Sequence, residues 1–355
     1  MNGVQRAQVD FLAVVSQQAK DAGVGVYLVG GVVRDLLRGQ EIGEKDFDFL
    51  VVGDAAAFAE RCIARTGGTM KRFDGFLTAK IVAPSAVPWL NEIDFASSRT
   101  EVYPQPGQLP VVSPGSLQED LGRRDFTINA LALGVQDLLG WLARGTGDRG
   151  ELEALVVDPH GGRRDLVARC VRSLHGDSFR DDPTRIFRAA RYVARIDGTL
   201  APETGCEIDA AVGSGALQTV SVTRIVNELK KIAREERFPE AFQVLEQFGV
   251  GAALGVPFAG AVGREVAAVR DRGVPANYRF EVLVRAWYAG GEGARVVAAL
   301  GLGKKQARHV EVDVAADDAA LAGNHVTVPG LWYALVRGVG DPDAVRRHLS
   351  VREER

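Results

Sequence analysis

Near residue 180 the hydrophobic period of this chain changes, and the change divides it into two kinds of structure. Between about Val24 and Leu133, apolar runs of strand length alternate with helical patterns. Tyr27 to Val29 reads as a strand, a helix starts at Val32, and Phe47 to Val52 reads as a second strand. A helix over Ala55 to Arg65, two strands around Lys71 and Lys80, and another over Glu92 to Ala96 follow. From Arg180 onward apolar positions recur at three- and four-residue spacing, as in Ile186 to Val193, Ile225 to Ile232 and Phe242 to Phe248. The expected fold is a mixed-sheet α/β domain followed by an all-α region. With 355 residues, 46% of them hydrophobic, the chain can fill two or three domain cores. Two stretches read as long loops: the proline-rich Ser97 to Gly115, and Gly140 to Gly150, rich in glycine and charge.

Composition removes several classes of function. The longest apolar runs, Tyr27 to Val33 and Phe47 to Val52, fall far short of the roughly 18 residues of a membrane span. Phe11 to Val15 is too short for the core of a signal peptide, so a cytoplasmic protein without membrane attachment is expected. Cys62, Cys170 and Cys206 are widely separated, which argues against a disulfide framework or zinc site and for buried thiols. A net charge of −3 excludes a general coat for nucleic acid. Only eight of the 43 basic residues are lysine, so arginine-rich stretches are partly a habit of the whole chain. Even so, Gly161 to Arg195 carries nine arginines against four aspartates, a local basic segment that the net charge conceals.

Three local patterns carry chemistry. Gly30-Gly31 ends a strand and opens a helix bearing Arg34; such a turn lets backbone N–H groups approach a phosphate, although a tight turn alone explains it. No Walker loop competes, and Gly23-x-Gly25 precedes its strand, so a dinucleotide fingerprint also fails. In Asp46-Phe47-Asp48-Phe49 the carboxylates share one strand face and the rings the other. Two such carboxylates repel unless a cation lies between them, and hard oxygen donors at this spacing suit Mg²⁺ bridging to substrate phosphates; the alternative is a solvated face. Asp94, on a later strand, could complete the cluster. Asp182 before Pro183 also has the form of a helix N-cap followed by proline at the first turn.

Five blocks in order then resemble one family. Val29 to Asp35, Asp46-x-Asp48, Arg123 to Ala130, Asp158 to Gly162 and Asp181 to Arg191 are similar to the bacterial class II tRNA nucleotidyltransferases and poly(A) polymerases, and Ser221 to Lys230 resembles the family's last helical motif. The resemblance covers about Val26 to Ala233. It implies a polymerase-β-like nucleotidyltransferase head over residues 1–158, a helical neck over 159–250 for nucleotide templating and RNA binding, and a helical body and short tail over 251–355. It implies that Asp46 and Asp48 hold Mg²⁺ with support from Asp94, and that Gly30, Gly31 and Arg34 cradle a triphosphate. Arg123, Arg124, Asp125 and Asn129 would position ribose and phosphates; their alternative is a salt-bridged start to a core strand over Ile128 to Leu133. Asp182 and Arg185 would select the base, because C and A present an amino donor beside a ring-nitrogen acceptor whereas G and U reverse the pattern. Arg188 and Arg191, with Arg195 on the same face, would meet phosphates or be solvated. Asp181 stands where the family often has glutamate.

The implied activity is template-independent addition of C and/or A from CTP and ATP to the tRNA 3′ end, with no obligatory protein partner. CCA, CC-only, A-only and poly(A) addition stay open. The acidic run Glu311 to Asp318, where poly(A) polymerases commonly carry a basic extension, favours tRNA. The Ser97 to Gly115 segment lies where the family has a loop used in switching from C to A. An RNA-binding relative without catalysis is disfavoured by the intact Asp46, Asp48 and Asp94.

Overall fold

The computed structural model describes residues 3–40, 47–87, 90–145, 148–255 and 262–287. Its strands are β1 (Gly25–Val29), β2 (Phe47–Val52), β3 (Thr69–Phe73), β4 (Thr78–Val82), β5 (Glu92–Ser97), β6 (Arg99–Val102), β7 (Val111–Pro114), β8 (Ala132–Gly134) and β9 (Val156–Val157). Helices α1 (Gly3–Ala22), α2 (Gly31–Leu37), α3 (Ala55–Thr66), α4 (Leu117–Gly122), α5 (Val135–Arg144), α6 (Arg149–Leu155) and α7 (Gly162–Val167) accompany them. Seven strands form one sheet in the order β3-β4-β5-β2-β1-β8-β9, with β2 and β5 parallel and the other neighbours antiparallel. β6 and β7 pair separately as a hairpin. The chain divides into two compact units: Met1–Pro104 with Leu109–His175, and Gln105–Gln108 with Gly176–Arg355.

One face of the sheet is closed by aromatic packing. Phe47 and Phe49 of β2 and Phe95 of β5 stack with centroids 5.2 to 5.7 Å apart, with Phe11 of α1 and Phe58 of α3 against them. All five rings are essentially buried, and each contributes roughly 1.5–3 kcal/mol of transfer free energy. Because side chains alternate along a strand, burying Phe47 and Phe49 turns Asp48 to the opposite face. There Leu50 packs with Leu121 of α4, Val29, Ala130 and Ala132, next to Ala96 and Leu117. The Asp48 end of that face stays exposed.

The second unit is helical: α8 (Ser178–Asp181), α9 (Thr184–Ile196), α10 (Pro202–Gly213), α11 (Val222–Arg234), α12 (Phe238–Gln247), α13 (Val250–Leu254), α14 (Val262–Asp271) and α15 (Arg279–Trp287). Among the described residues no helix is long and apolar enough to cross a membrane.

Several expectations need correction. The Ser97 to Gly115 loop contains the β6–β7 hairpin, its strands ending just before Pro104 and restarting just after Pro110, where a missing N–H no longer costs a ladder bond. The start of Gly140 to Gly150 is the end of α5, whose apolar residues Leu138 and Trp141 recur at helical spacing before Gly145 stops it in a left-handed conformation. Ile128 to Leu133 is no single strand: Thr127–Asn129 is a 3₁₀ turn, and β8 begins at Ala132. Of the three thiols only Cys62 is buried; Cys170 is half-buried and Cys206 lies on an exposed part of α10. Burial pushes the Cys62 thiol up to about 12. The run Glu311 to Asp318 lies outside the described residues.

Candidate active site

Across β3, β4, β5 and β2 the register places Lys71, Lys80, Asp94 and Asp48 in one row. Asp48 and Asp94 are neighbours on parallel strands, which run about 4.8 Å apart. Asp94 is 31% exposed, and its Oδ1 lies 3.1 Å from Lys80 Nζ. Lys80 also donates to Glu92 Oε2, two residues along β5 on the same face. That hydrogen bond is the largest cause of an upward shift of the Lys80 ammonium pKa and of a downward shift at Glu92. Two adjacent carboxylates of hard oxygen character fit a hard divalent cation. Asp46 lies outside the described residues, and among the described residues no cluster of three or more His, Cys, Asp or Glu side chains converges on a metal position.

Beside this row stands the glycine turn. Gly30 has φ +68, and a Cβ there would stand 3.8 Å from Arg124 Nη1, so the turn lies against that guanidinium. Arg34 lies beneath the turn and is fully buried. Its Nε donates to Asp35 Oδ1 (3.0 Å) and its Nη1 to Asn129 Oδ1 (2.9 Å). Asn129 Nδ2 in turn donates to Asp125 Oδ1 (3.0 Å), which also accepts the Phe126 N–H. The four polar residues of the first and second motifs therefore form one network, in which Arg34 holds the turn from below and Asn129 is fixed at both ends of its amide.

A second network orders Arg123 and Arg124. Ser116 and Glu119 form a capping box that starts α4, and α4 carries Asp120 into complete burial. Asp120 Oδ1 accepts Arg123 Nε (2.9 Å) and Nη2 (2.6 Å), and Oδ2 accepts Arg124 Nη2 (2.8 Å) and Nε (3.2 Å). Glu101, 6% exposed, bridges Arg123 (2.6 Å) and Arg99 (2.9 Å) and accepts the Tyr103 hydroxyl. The guanidiniums keep 17% exposure each, enough to present charge on one side. Asp158 is also used locally: it accepts the Gly162 and Arg163 N–H groups, at 2.7 and 3.0 Å, at the start of α7.

Within the second unit Asp182 combines several duties. Its Oδ1 accepts the Thr184 N–H (3.0 Å), the Thr184 hydroxyl (2.6 Å) and Arg224 Nη2 (2.8 Å). These donors all fall on Oδ1 and none on Oδ2. The helix-cap reading of Asp182 thus holds as geometry, with one oxygen outside it. Arg224 Nη1 donates to the Gly107 carbonyl (2.8 Å), and the Gly107 N–H to the Asp181 carbonyl (3.1 Å). Arg185 is 5% exposed and donates to Ser178 Oγ (2.6 Å). Arg188, Arg191 and Arg195 surround the Tyr192 ring at 4.6 to 6.0 Å. Arg191 is buried near Glu228 (3.9 Å) and Glu235 (3.7 Å), so it is embedded between α9 and α11 and not solvated.

Asp120 and Lys80 lie outside the motif blocks, and Arg224 lies within the last block but had no role assigned to it. Asp120 had a signal, since Arg123 and Arg124 follow it at helical spacings of three and four. Lys80 and Arg224 meet their partners only through sheet register and helix packing.

Residues 26–172 match the family described as the poly A polymerase head domain. The A-adding tRNA nucleotidyltransferase of Aquifex aeolicus (strain VF5) is 39% identical over 224 residues, 63% of this chain and 25% of that protein. The CC-adding tRNA nucleotidyltransferase of Deinococcus radiodurans is 35% identical over 231 residues, 65% of this chain and 56% of that protein. This chain therefore spans about a quarter to just over half the length of these curated relatives. A solved CCA-adding enzyme in an apo form superposes with a TM-score of 0.73 at 26% identity, covering 98% of this chain and 83% of that one. Residues 26–172 thus carry a poly A polymerase head domain, within a chain similar to tRNA nucleotidyltransferases in sequence and to CCA-adding enzymes in fold.

Proposed function

We propose that the chain adds C and/or A to the 3′ end of tRNA in the cytoplasm, using CTP and ATP without a nucleic-acid template. The RNA 3′ hydroxyl attacks the α-phosphate, a new P–O bond forms, and the bond to pyrophosphate breaks. The observation that carries this reading is the placement of Asp48 beside Asp94 at the exposed end of a sheet face whose other side is closed by aromatic rings. Asp46, Asp48 and Asp94 would hold Mg²⁺, which when bound lowers the pKa of the attacking hydroxyl and stabilises the leaving oxygen.

The chain's own residues bind and orient. Gly30 and Gly31 leave room for phosphate oxygens against backbone N–H groups, and Arg124 beside Gly30 offers a partly exposed positive charge. Arg123, aimed by Asp120 and Glu101, adds a second; Asn129 and Asp125, fixed by Arg34, meet the ribose. Asp182 Oδ2 accepts the exocyclic amino group of C or A while Arg185 donates to the ring nitrogen; G or U would leave both protein groups without partners. Arg188, beside the Tyr192 ring, would meet a phosphate, and Arg191 holds the helix in place. Residues 1–158 act as head, 159–250 as neck and 251–355 as body and tail.

The test is incubation of purified protein with Mg²⁺ and single NTPs on tRNA lacking its terminal CCA, ending in CC, or complete. Incorporation of C, A or both, stopping at the CCA end, is expected. A long A tail on unrelated RNA would favour poly(A) synthesis, and no incorporation with any NTP would refute the reading.

A further inference from the structure

Lys80 has no part in the roles above, yet its ammonium lies 3.1 Å from Asp94 Oδ1 and is shared with Glu92. All three side chains project from the same face of β4 and β5, and register puts Asp94 directly between Lys80 and Asp48. A divalent cation that uses Asp94 therefore meets a positive charge already bonded to that carboxylate. Glu92, 41% exposed, anchors the ammonium from the other side, so Lys80 is held between two carboxylates instead of collapsing wholly onto one.

We propose that Lys80 is a positioning residue for the acidic pair: a resident cation that fixes Asp94 toward β4 and weakens the affinity of the nucleotide-free protein for a divalent ion. The physical reasoning is competition. Without Lys80, the Asp48–Asp94 pair would have one positive charge fewer beside it and would hold a divalent cation more tightly before substrate arrived. With Lys80 in place, retention of the ion depends on the extra negative charge of a bound triphosphate, so metal and nucleotide are taken up together. An ammonium within about 4 Å of a carboxylate is worth roughly one pKa unit or more of its charge, or about tenfold in affinity for a competing cation.

This inference rests on the reading of Asp48 and Asp94 as metal ligands, and the experiment separates the two. Mn²⁺ binding to the full chain without nucleotide is measured by calorimetry and by the electron-paramagnetic signal of free Mn²⁺, with thermal unfolding to verify that each variant is folded. Lys80→Met is expected to bind Mn²⁺ about tenfold more tightly than wild type. Lys80→Arg keeps the charge and is expected to stay within about twofold. Glu92→Gln, which leaves the whole ammonium to Asp94, is expected to bind more weakly. Should Lys80→Met fail to fold, Lys80→Gln carries the same expectation. Unchanged or weaker binding in the folded, charge-free variant would overturn the role of Lys80, provided Asp48→Asn abolishes binding in the same assay. If Asp48→Asn leaves Mn²⁺ binding intact, the metal reading falls and this proposal falls with it.

Discussion

Replacing Asp120 by asparagine removes one charge while keeping the side-chain volume, and the consequences can be worked through bond by bond. The native carboxylate accepts four hydrogen bonds from two guanidiniums at 2.6 to 3.2 Å and is fully buried. Asparagine keeps one acceptor oxygen and turns an NH₂ group toward one of the two guanidiniums, so at least two of the four bonds are lost and a donor faces a donor. Removing one partner of a buried ion pair costs about 3–5 kcal/mol. Glu101 still compensates Arg123, and each guanidinium is 17% exposed, which places the expectation at the lower end, about 3 kcal/mol. With an m-value near 2 kcal/mol per molar urea, the unfolding midpoint of the N-terminal unit should fall by about 1.5 M. The same Asp120→Asn change with Arg123→Met and Arg124→Met should recover part of that loss, because an apolar replacement of a buried ion pair is often close to neutral. Intrinsic fluorescence and circular dichroism in a urea titration provide the readout. A midpoint shift below about 0.3 M, or a triple variant less stable than the single one by a full further increment, would refute the view that Asp120 is the electrostatic anchor of both arginines.

Asp182→Ala should relax the choice between C or A and G or U, measured as misincorporation of GTP and UTP; unchanged selectivity would leave Asp182 as a helix cap alone. Gly107→Ala demands φ near +73 from an L residue and places a Cβ 2.1 Å from Thr219 Oγ1 and 2.8 Å from its carbonyl oxygen, so proteolysis between β6 and β7 should accelerate well beyond wild type. The backbone N–H and hydroxyl of Ser116 hold the Glu119 carboxyl below its usual range. A depressed carboxylate pKa gives stability present above the unfolded value and lost as pH falls through the folded one, so Glu119→Gln should narrow its stability gap from wild type on acidification below about pH 4. Alkylation at pH 8 should label Cys206 rapidly and leave Cys62 untouched until the protein unfolds, since the Cys62 thiol is raised to about 12 and buried.

Some of this was legible in one dimension because the physics is local. Alternation in Phe47-Asp48-Phe49 is a property of any strand, so the face of Asp48 followed once the strand was recognised. The start of α9 was similarly readable from Asp182-Pro183, since a cap needs only neighbours. What escaped was decided by partners far along the chain. Ile128 to Leu133 looked like one strand, but Asn129 is bonded to Arg34, 95 residues away, and that bond accompanies a 3₁₀ turn where strand geometry was expected. Arg191 read as phosphate-binding or solvated until α11 brought Glu228 and Glu235 beside it. Helix α1 was not anticipated either; its single short apolar run gave little sign that Phe11 would meet Phe47 and Phe49. Asp125 and Asn129 were recognised as motif residues, but their joint dependence on Arg34 emerges only in three dimensions.

The tip of the β6–β7 hairpin makes this chain hard to divide. Gln105–Gln108 belongs to the same unit as Asp181 and Arg224, although the strands on either side of it belong to the other. No single cut in the sequence yields both units whole. A fragment ending at His175 would carry Gly107 without the Asp181 carbonyl and the Arg224 guanidinium, and a fragment starting at Gly176 would leave Arg224 with one of its two acceptors missing. Swapping the helical unit between relatives would have to carry these four residues along, although the sequence places them in the N-terminal half.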